Sequence, residues 1–277
     1  MGYRIIDCHA HLFPDKIAEK VANNLHEYYH LRMDSKGHFS ELQNSAKESH
    51  IAGLLLLSSA TKASQVESIN NFVSSTVKRT PGTIGFGSMH FAYPEIKKEM
   101  HRIKELGLRG LKLHAEFQNF KIDDEKMFPI YECAIMEDLP ILFHLGDETS
   151  DYSSPKRMAR VLDRYPELRV IGGHLGGVYA WDASIEYLVG RNLYFDTSSV
   201  FDILGEEKAY EIMKNHGIEK IVFGTDFPIR LHQSEIEHIL NLPLCEVERE
   251  MVFHENIERF LSLDEHSFES AEEQAGA

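Results

Sequence analysis

The stretch IIDCHAHLFP (residues 5–14) ends an apolar run with two histidines one residue apart. In a β-strand, side chains two residues apart point to the same face. The sequence therefore predicts that His9 and His11 share one face of a first strand, with Ile5 and Asp7 beneath them. Two imidazoles at the mouth of a strand suit a metal such as zinc, which favours nitrogen donors. Two unrelated polar residues at a strand end would give the same pattern, so this motif alone does not establish a metal site.

Short apolar runs like this one recur along the whole chain, with helical stretches between them. Such runs are typical of strands that are buried on both faces of a parallel sheet. The predicted strands lie within residues 3–12, 51–60, 83–91, 108–115, 140–146, 169–177, 192–200 and 220–229.

Eight strand–helix pairs in order predict a closed (β/α)₈ TIM barrel of the α/β class, in a single domain over residues 1–263. A doubly wound open sheet is the alternative. Its phosphate-binding glycine fingerprint does not follow the first strand, and the glycines of GGHLGG (172–177) have the wrong spacing for it. Residues 264–277 are acidic, and we expect most of them to form a mobile tail outside the fold.

The composition restricts the class of protein. The chain has 277 residues, is 43% hydrophobic and has a net charge of −15. That charge repels phosphate backbones, which argues against a nucleic-acid partner. Three widely separated cysteines, no visible secretory signal and no apolar run long enough to span a membrane predict a cytoplasmic protein without a membrane partner.

Polar residues end most of the predicted strands. In barrels of this kind the active site lies at the carboxyl ends of the strands, so these side chains should converge on one cup. A divalent cation would explain why several imidazoles are gathered there, since an uncompensated cluster costs free energy. The residues are His9 and His11 on strand 1, Lys112 and His114 on strand 4, His144 on strand 5, His174 on strand 6 and Asp226 on strand 8.

Five motifs give this pattern a family likeness: DCHAHLFP (7–14), GLKLHAEFQNF (110–120), ILFHLGDE (141–148), VIGGHLGG (170–177) and FGTDFP (223–228). With them the chain resembles the amidohydrolase superfamily, in its amidohydrolase-2 branch of metal-dependent TIM-barrel hydrolases and decarboxylases. The resemblance implies that four residues bind the metal: His9, His11, His144 and Asp226. It also implies that His174 acts on the substrate, or binds a second metal as in binuclear relatives.

Strand 4 leaves the number of metals open. Binuclear relatives bridge two metals there with a carbamylated lysine or a glutamate, and Lys112 is at about that place. Members of the branch that the chain resembles mostly bind one metal ion, so we expect one divalent ion here. Zinc is the expected ion, and manganese is the alternative. Lys112 would then form a structural ion pair below the site, with Asp7, and His114 is a further candidate for the site. Glu116 and Gln118 are expected either to contact substrate or to lie in a solvated loop.

TatD-type nucleases share the opening motif, but they place a metal-binding glutamate at the end of strand 3. The segment GFGSMHF (85–91) offers no glutamate. The acidic net charge also argues against a nuclease.

The expected chemistry is hydrolysis of a small-molecule amide, ester or lactone by a metal-activated water. Asp226 would move the proton from the water to the leaving group, and His174 would hydrogen-bond the substrate carbonyl or the developing oxyanion. Asp7 would orient a ligand imidazole from below. Non-oxidative decarboxylation of a small aromatic or enol carboxylate is the alternative. A catalytically inactive binding protein is disfavoured because the set of metal residues is complete. A homodimer is compatible with these expectations.

Overall fold

Eight parallel strands form the centre of the protein, as seen in a computed structural model that describes residues 2–264 and 267–268. Each of the predicted apolar runs contains one strand, although most strands are shorter than the run. They are β1 (Ile6–His11), β2 (Gly53–Leu57), β3 (Thr83–Phe86), β4 (Leu111–Leu113), β5 (Ile141–Phe143), β6 (Val170–Gly172), β7 (Tyr194–Asp196) and β8 (Ile221–Val222).

The strands close into a barrel. Strands β1 to β3 pair in order, and so do β4 to β8. A bridge between Gly87 and Leu111 joins β3 to β4. A bridge between Ala10 and Phe227, together with a 3.0 Å hydrogen bond from the Cys8 amide to the Phe223 carbonyl, joins β8 to β1. The (β/α)₈ barrel is therefore confirmed, and the open sheet is excluded.

Helices surround the barrel and connect its strands. The β1–β2 connection contains two of them, Asp15–Tyr29 and Phe39–Glu48. The α-helices in the described part of the chain are α1 (Asp15–Tyr29), α2 (Phe39–Glu48), α3 (Val66–Val77), α4 (Ile96–Glu105), α5 (Ala115–Gln118), α6 (Phe128–Glu137), α7 (Pro155–Arg164), α8 (Trp181–Tyr187), α9 (Phe201–Leu204), α10 (Glu206–His216), α11 (His232–Asn241), α12 (Glu246–Glu250) and α13 (Asn256–Leu261). Within the described residues, none of these helices is long and apolar enough to cross a membrane.

Strand β1 does not alternate regularly. Ile6 and Cys8 pack in the apolar cluster inside the barrel, whereas Ile5 and Ala10 belong to the cluster between strands and helices. The register of β1 against β2 shifts between Asp7 and Ala10. Simple alternation predicted that His9 and His11 would share the face of Ile5 and Asp7. The register shift breaks the alternation, so they do not.

The amino-terminal end of the barrel is closed by residues from the end of the chain. Ile257, Phe260 and Phe268 join the cluster inside the barrel. Phe268 is 9% exposed, and its carbonyl accepts a 2.8 Å hydrogen bond from the Gly82 amide. At least one residue of the predicted tail, Phe268, therefore packs on the barrel. Residues 265–266 and 269–277 lie outside the described residues, and the expectation that they are dispensable stays a prediction.

Candidate metal centre and active site

His9, His11 and Asp226 lie together where β1 and β8 end. The Oδ1 atom of Asp226 is 3.1 Å from His11 Nε2 and 3.4 Å from His9 Nε2. The second oxygen, Oδ2, accepts a 3.1 Å hydrogen bond from Ser199 Oγ. Burial acts to raise the pKa of Asp226, but its interactions with His9 and His11 outweigh burial and hold this pKa well below its usual range. Asp226 is therefore an ionised, buried carboxylate beside two imidazole nitrogens.

Asp196, at the end of β7, orients His9. Its Oδ2 atom is 2.8 Å from His9 Nδ1, so this nitrogen carries the proton and Nε2 presents its lone pair to the cup. Its Oδ1 atom accepts hydrogen bonds from the His174 amide at 2.9 Å and from Ser198 Oγ at 2.6 Å. The sequence analysis missed Asp196. The rule that singled out Asp226, an acidic residue ending an apolar run, would also have found it.

His144 and His174 face each other across the cup. Nδ1 of His144 is 3.0 Å from Nε2 of His174, and the His174 ring centroid is 5.3 Å from that of His9. Gly146 permits this approach, because a Cβ atom there would collide with the Val178 carbonyl of the loop that follows β6. Burial lowers the pKa of both histidines, which are therefore neutral at pH 7.

The hydrogen bonds of His174 limit what this residue can do. Its Nδ1 atom is 2.9 Å from the carbonyl oxygen of Ser198 and must donate to it. Nε2 of the neutral ring is then an acceptor. A hydrogen bond from His174 to a substrate oxyanion, as expected from the sequence, requires the ring to take up a proton first.

Lys112 lies inside the cup. Its Nζ atom is 2.8 Å from Nε2 of His9, and burial lowers its pKa to about 8. The structure does not show the expected ion pair between Lys112 and Asp7. Asp7 accepts hydrogen bonds from the His9 amide at 2.9 Å and from Thr225 Oγ1 at 2.6 Å, so it joins the ends of β1 and β8. The imidazole is oriented by Asp196 instead.

His114 lies on the other side of His144. The two rings stack with centroids 4.1 Å apart and planes 7° apart. The hydroxyl of Tyr29 is 2.9 Å from His114 Nε2 and 3.3 Å from His144 Nε2. Tyr29 is the last residue of α1, and the sequence analysis missed it because only strand ends were searched.

Glu116 and Gln118 hold loops in place. Oε1 of Glu116 accepts hydrogen bonds from Ser150 Oγ at 3.0 Å and Ser153 Oγ at 2.6 Å. Gln118 is buried, and its amide group bonds to three backbone groups in the loops that follow β2, β3 and β4. Gln118 therefore does not lie in a solvated loop, and its amide group is committed to backbone groups.

The donors fit a divalent ion. His9, His11 and Asp226 offer atoms that all lie within 4.8 Å of one another. Burial lowers the pKa of His11 to about 4, so its lone pair is available at neutral pH. Neutral imidazoles and one carboxylate are the ligands of a catalytic zinc site, and manganese accepts them too. His144, the fourth expected ligand, is not in this group. It contacts His174, whose ring centroid is 5.3 Å from that of His9.

Comparison with known proteins shows the family of the chain. A family model described as Amidohydrolase matches residues 6–263. The chain belongs to this family. Its members are metal-dependent enzymes, both hydrolases and decarboxylases. The expected family, enzyme class and divalent metal are thereby confirmed, although neither zinc nor manganese is singled out.

Solved structures of the same fold come from both kinds of enzyme. A 5-carboxyvanillate decarboxylase from Sphingomonas paucimobilis has 18% identity and a TM-score of 0.72, over 95% of this chain and 100% of its own. A dihydroxybenzoic acid decarboxylase from Polaromonas sp. JS666, with bound manganese, has 16% identity and a TM-score of 0.70, over 95% and 97%. A probable 2-pyrone-4,6-dicarboxylic acid hydrolase from Acinetobacter baumannii has 16% identity and a TM-score of 0.68, over 94% and 100%. At these identities the likeness establishes the fold.

Proposed function

We propose that this amidohydrolase family member hydrolyses an amide, ester or lactone bond in a small molecule, with one divalent ion held by His9, His11, His144 and Asp226. The observation that carries the proposal is the ionised Asp226 carboxylate beside two imidazole nitrogens, with its Oδ2 held by Ser199. A bound divalent ion supplies Lewis acidity and lowers the pKa of water to about 7. Zinc is the expected ion, and manganese is the alternative.

Two residues of the chain move protons in this proposal. Asp226 takes the proton of the attacking water and passes it to the leaving group, since its carboxylate is ionised and next to the ligand nitrogens. His174 is a second proton acceptor, because its Nδ1–H is committed to the Ser198 carbonyl and its Nε2 is free of a proton. Once protonated, it can donate to the oxygen of the substrate.

The substrate should be small. His9, His144, His174 and Asp226 are all at most 5% exposed, which favours a small substrate over a polymer. The net charge of −15 argues further against nucleic acid.

Decarboxylation of an aromatic carboxylate is the second candidate. The observation in its favour is the stack of Phe117 on His114, with ring centroids 3.9 Å apart, and Tyr29 beside it. Such a wall suits a planar ring. In this reaction the bond between the ring carbon and the carboxylate breaks and carbon dioxide leaves. A proton that Asp226 or His174 has taken up from solvent replaces the carboxylate on the carbon.

The first experiment is to load the protein with zinc and offer a panel of small lactones, esters, amides and hydroxybenzoates. We expect about one zinc per chain and formation of a carboxylic acid product without release of carbon dioxide. His174→Asn should retain zinc and lose about 10²–10⁴-fold in kcat, the usual contribution of a proton-transfer group. Asp226→Asn should lose more and also bind zinc more weakly.

Other results would redirect the proposal. Release of carbon dioxide from a hydroxybenzoate would identify the second candidate. Unchanged zinc content after joint replacement of His9→Ala and His11→Ala would show that the ion binds elsewhere. Loss of zinc in His174→Asn would make His174 a ligand.

A further inference from the structure

The two ring nitrogens of His144 have different surroundings. Nδ1 faces the cup and lies 3.0 Å from His174 Nε2, whereas Nε2 points away from it, towards the Tyr29 hydroxyl at 3.3 Å. A neutral imidazole carries one proton, so only one of these nitrogens can offer a lone pair to a metal ion. The tautomer of His144 therefore decides whether the proposed ion gains this ligand.

Tyr29 connects His144 to two further groups. Its hydroxyl is 2.9 Å from His114 Nε2, and His114 Nδ1 lies 3.5 Å from Glu116 Oε2. The side chains of His114 and Glu116 are only 6% and 3% exposed, and these last two atoms have no hydrogen-bond partner among the described residues. The chain of polar groups thus runs from His144 to a buried carboxylate.

The single proton of the Tyr29 hydroxyl makes this chain directional. If Tyr29 donates to His114, it must accept from His144 Nε2–H, and His114 then places Nδ1–H against the Glu116 carboxylate. If Tyr29 donates to His144, the lone pair of His114 Nδ1 faces a carboxylate oxygen at 3.5 Å. The second arrangement sets two buried acceptors against each other, which costs free energy. Glu116 therefore favours the arrangement in which Tyr29 donates to His114 and accepts from His144.

We propose that Tyr29, His114 and Glu116 form a relay that holds the proton of His144 on Nε2 and so presents its Nδ1 to the divalent ion. These are positioning residues, since they act through His144. Metal-binding histidines usually donate their other N–H to a fixed partner, as His9 does to Asp196 in this protein. The inference rests on the metal site described under the proposed function.

The contact between His144 and His174 depends on the same proton of His144. With its Nδ1–H committed to Ser198, His174 turns a lone pair towards His144 Nδ1, 3.0 Å away. In the favoured tautomer, Nδ1 of His144 carries no proton, so its lone pair faces that of His174. A cation bound to His144 Nδ1 would remove this repulsion, whereas without a cation the 3.0 Å distance favours a proton on His144 Nδ1.

A second ion held by His114, Glu116 and His144 is a competing assignment, since atoms of the three lie within 4.8 Å of one another. The position of Tyr29 argues against it. Its hydroxyl already occupies the point between the two Nε2 atoms, 2.9 Å from that of His114 and 3.3 Å from that of His144.

The experiment compares the zinc affinity of the full-length protein with that of Tyr29→Phe, by competition with a chelator. The phenylalanine keeps the ring and removes the hydroxyl. We expect zinc to bind about 10–100-fold more weakly, as when other outer partners of metal ligands are lost. The metal-free variant should melt somewhat lower than the wild type, because the lost hydroxyl contacts two buried imidazoles. Tyr28→Phe is the matched control, because its hydroxyl donates to Asp147 and not to the relay. Its zinc affinity should equal that of the wild type.

Nitrogen-15 NMR of the histidine rings in zinc-loaded wild-type protein gives a second test that needs no variant. We expect His144 to carry its proton on Nε2 and its zinc on Nδ1. Zinc on Nε2, a His144 without zinc, or wild-type zinc affinity in Tyr29→Phe would overturn the relay. So would two zinc ions per chain with the second lost in Glu116→Gln. Failure of the wild type to bind zinc would instead refute the proposed metal site.

Discussion

At the scale of single residues, buried histidines in this barrel are defined by what each ring nitrogen contacts. His216 illustrates this away from the cup. Its Nδ1 accepts a 3.2 Å hydrogen bond from the Gly190 amide, and its Nε2–H donates to the Leu193 carbonyl at 2.9 Å. Both nitrogens are therefore satisfied only in the neutral ring. Burial lowers the pKa of His216 to about 4.

This predicts an acid-sensitive contribution to stability. The folded pKa of His216 lies below the unfolded value, so its contribution is present above about pH 6.5 and is lost as the pH falls towards 4. The loss should reach about 3 kcal/mol of unfolding free energy. Urea unfolding of wild type and His216→Gln, near pH 7 and near pH 4, measures it as a weaker pH dependence in the variant.

The matched control for this prediction is His101→Gln, since His101 has a side chain that is 63% exposed. It should unfold with the pH dependence of the wild type. If His216→Gln also kept that dependence, the neutral His216 would not be a source of acid sensitivity.

At the scale of elements, the short helix α5 joins three loops at the rim of the cup. Gln118 at its end donates to the Ala60 carbonyl and the Met89 carbonyl, both at 2.8 Å, and accepts from the His114 amide at 2.8 Å. These bonds cross from β4 to the loops that follow β2 and β3. They fix the backbone of His114, which the relay needs.

Replacing Gln118 with methionine keeps the length of the side chain and removes all three bonds. We expect a loss of about 3 kcal/mol in unfolding free energy, since each buried polar group left unpaired costs about 1–3 kcal/mol. Urea unfolding at neutral pH measures it. Gln43→Met on the exposed side of α2 is the control and should change stability by less than about 0.5 kcal/mol. Equal effects of the two variants would mean that the bonds of Gln118 contribute nothing measurable.

At the scale of the whole molecule, the end of the chain seals the barrel. Phe268 packs within the apolar cluster at the amino-terminal ends of the strands, where Gly53 leaves room for its ring. A Cβ atom at Gly53 would lie 2.5 Å from that ring. Packing against the barrel thus extends at least as far as Phe268, beyond the predicted boundary at residue 263.

Two truncations test this boundary. A chain that ends at Phe268 should keep the melting temperature of the full-length protein, because the remaining residues ESAEEQAGA carry no apolar stripe. A chain that ends at Leu263 should melt several degrees lower, since removing a buried phenylalanine ring typically costs about 3–5 kcal/mol. Equal melting temperatures for all three chains would return the boundary to residue 263.

The sequence by itself determined the barrel and the residues that end its strands. Hydrophobic periodicity is local, and the carboxyl ends of parallel strands meet on one face whatever the details of packing. The convergence of His9, His11 and Asp226, and the pairing of His144 with His174, follow from that rule.

Only the tertiary structure decided how these groups are used. Asp196 binds His9 across 187 positions of the chain, and Tyr29 reaches His144 from a helix across 115. Lys112 bonds to His9 and not to Asp7, and the register shift in β1 sets which side chains enter the cup. Such contacts depend on the closure of the barrel and on a register shift that no pattern of polar and apolar residues encodes. Proton positions follow from these contacts, because a ring nitrogen beside a carboxylate or a carbonyl must donate.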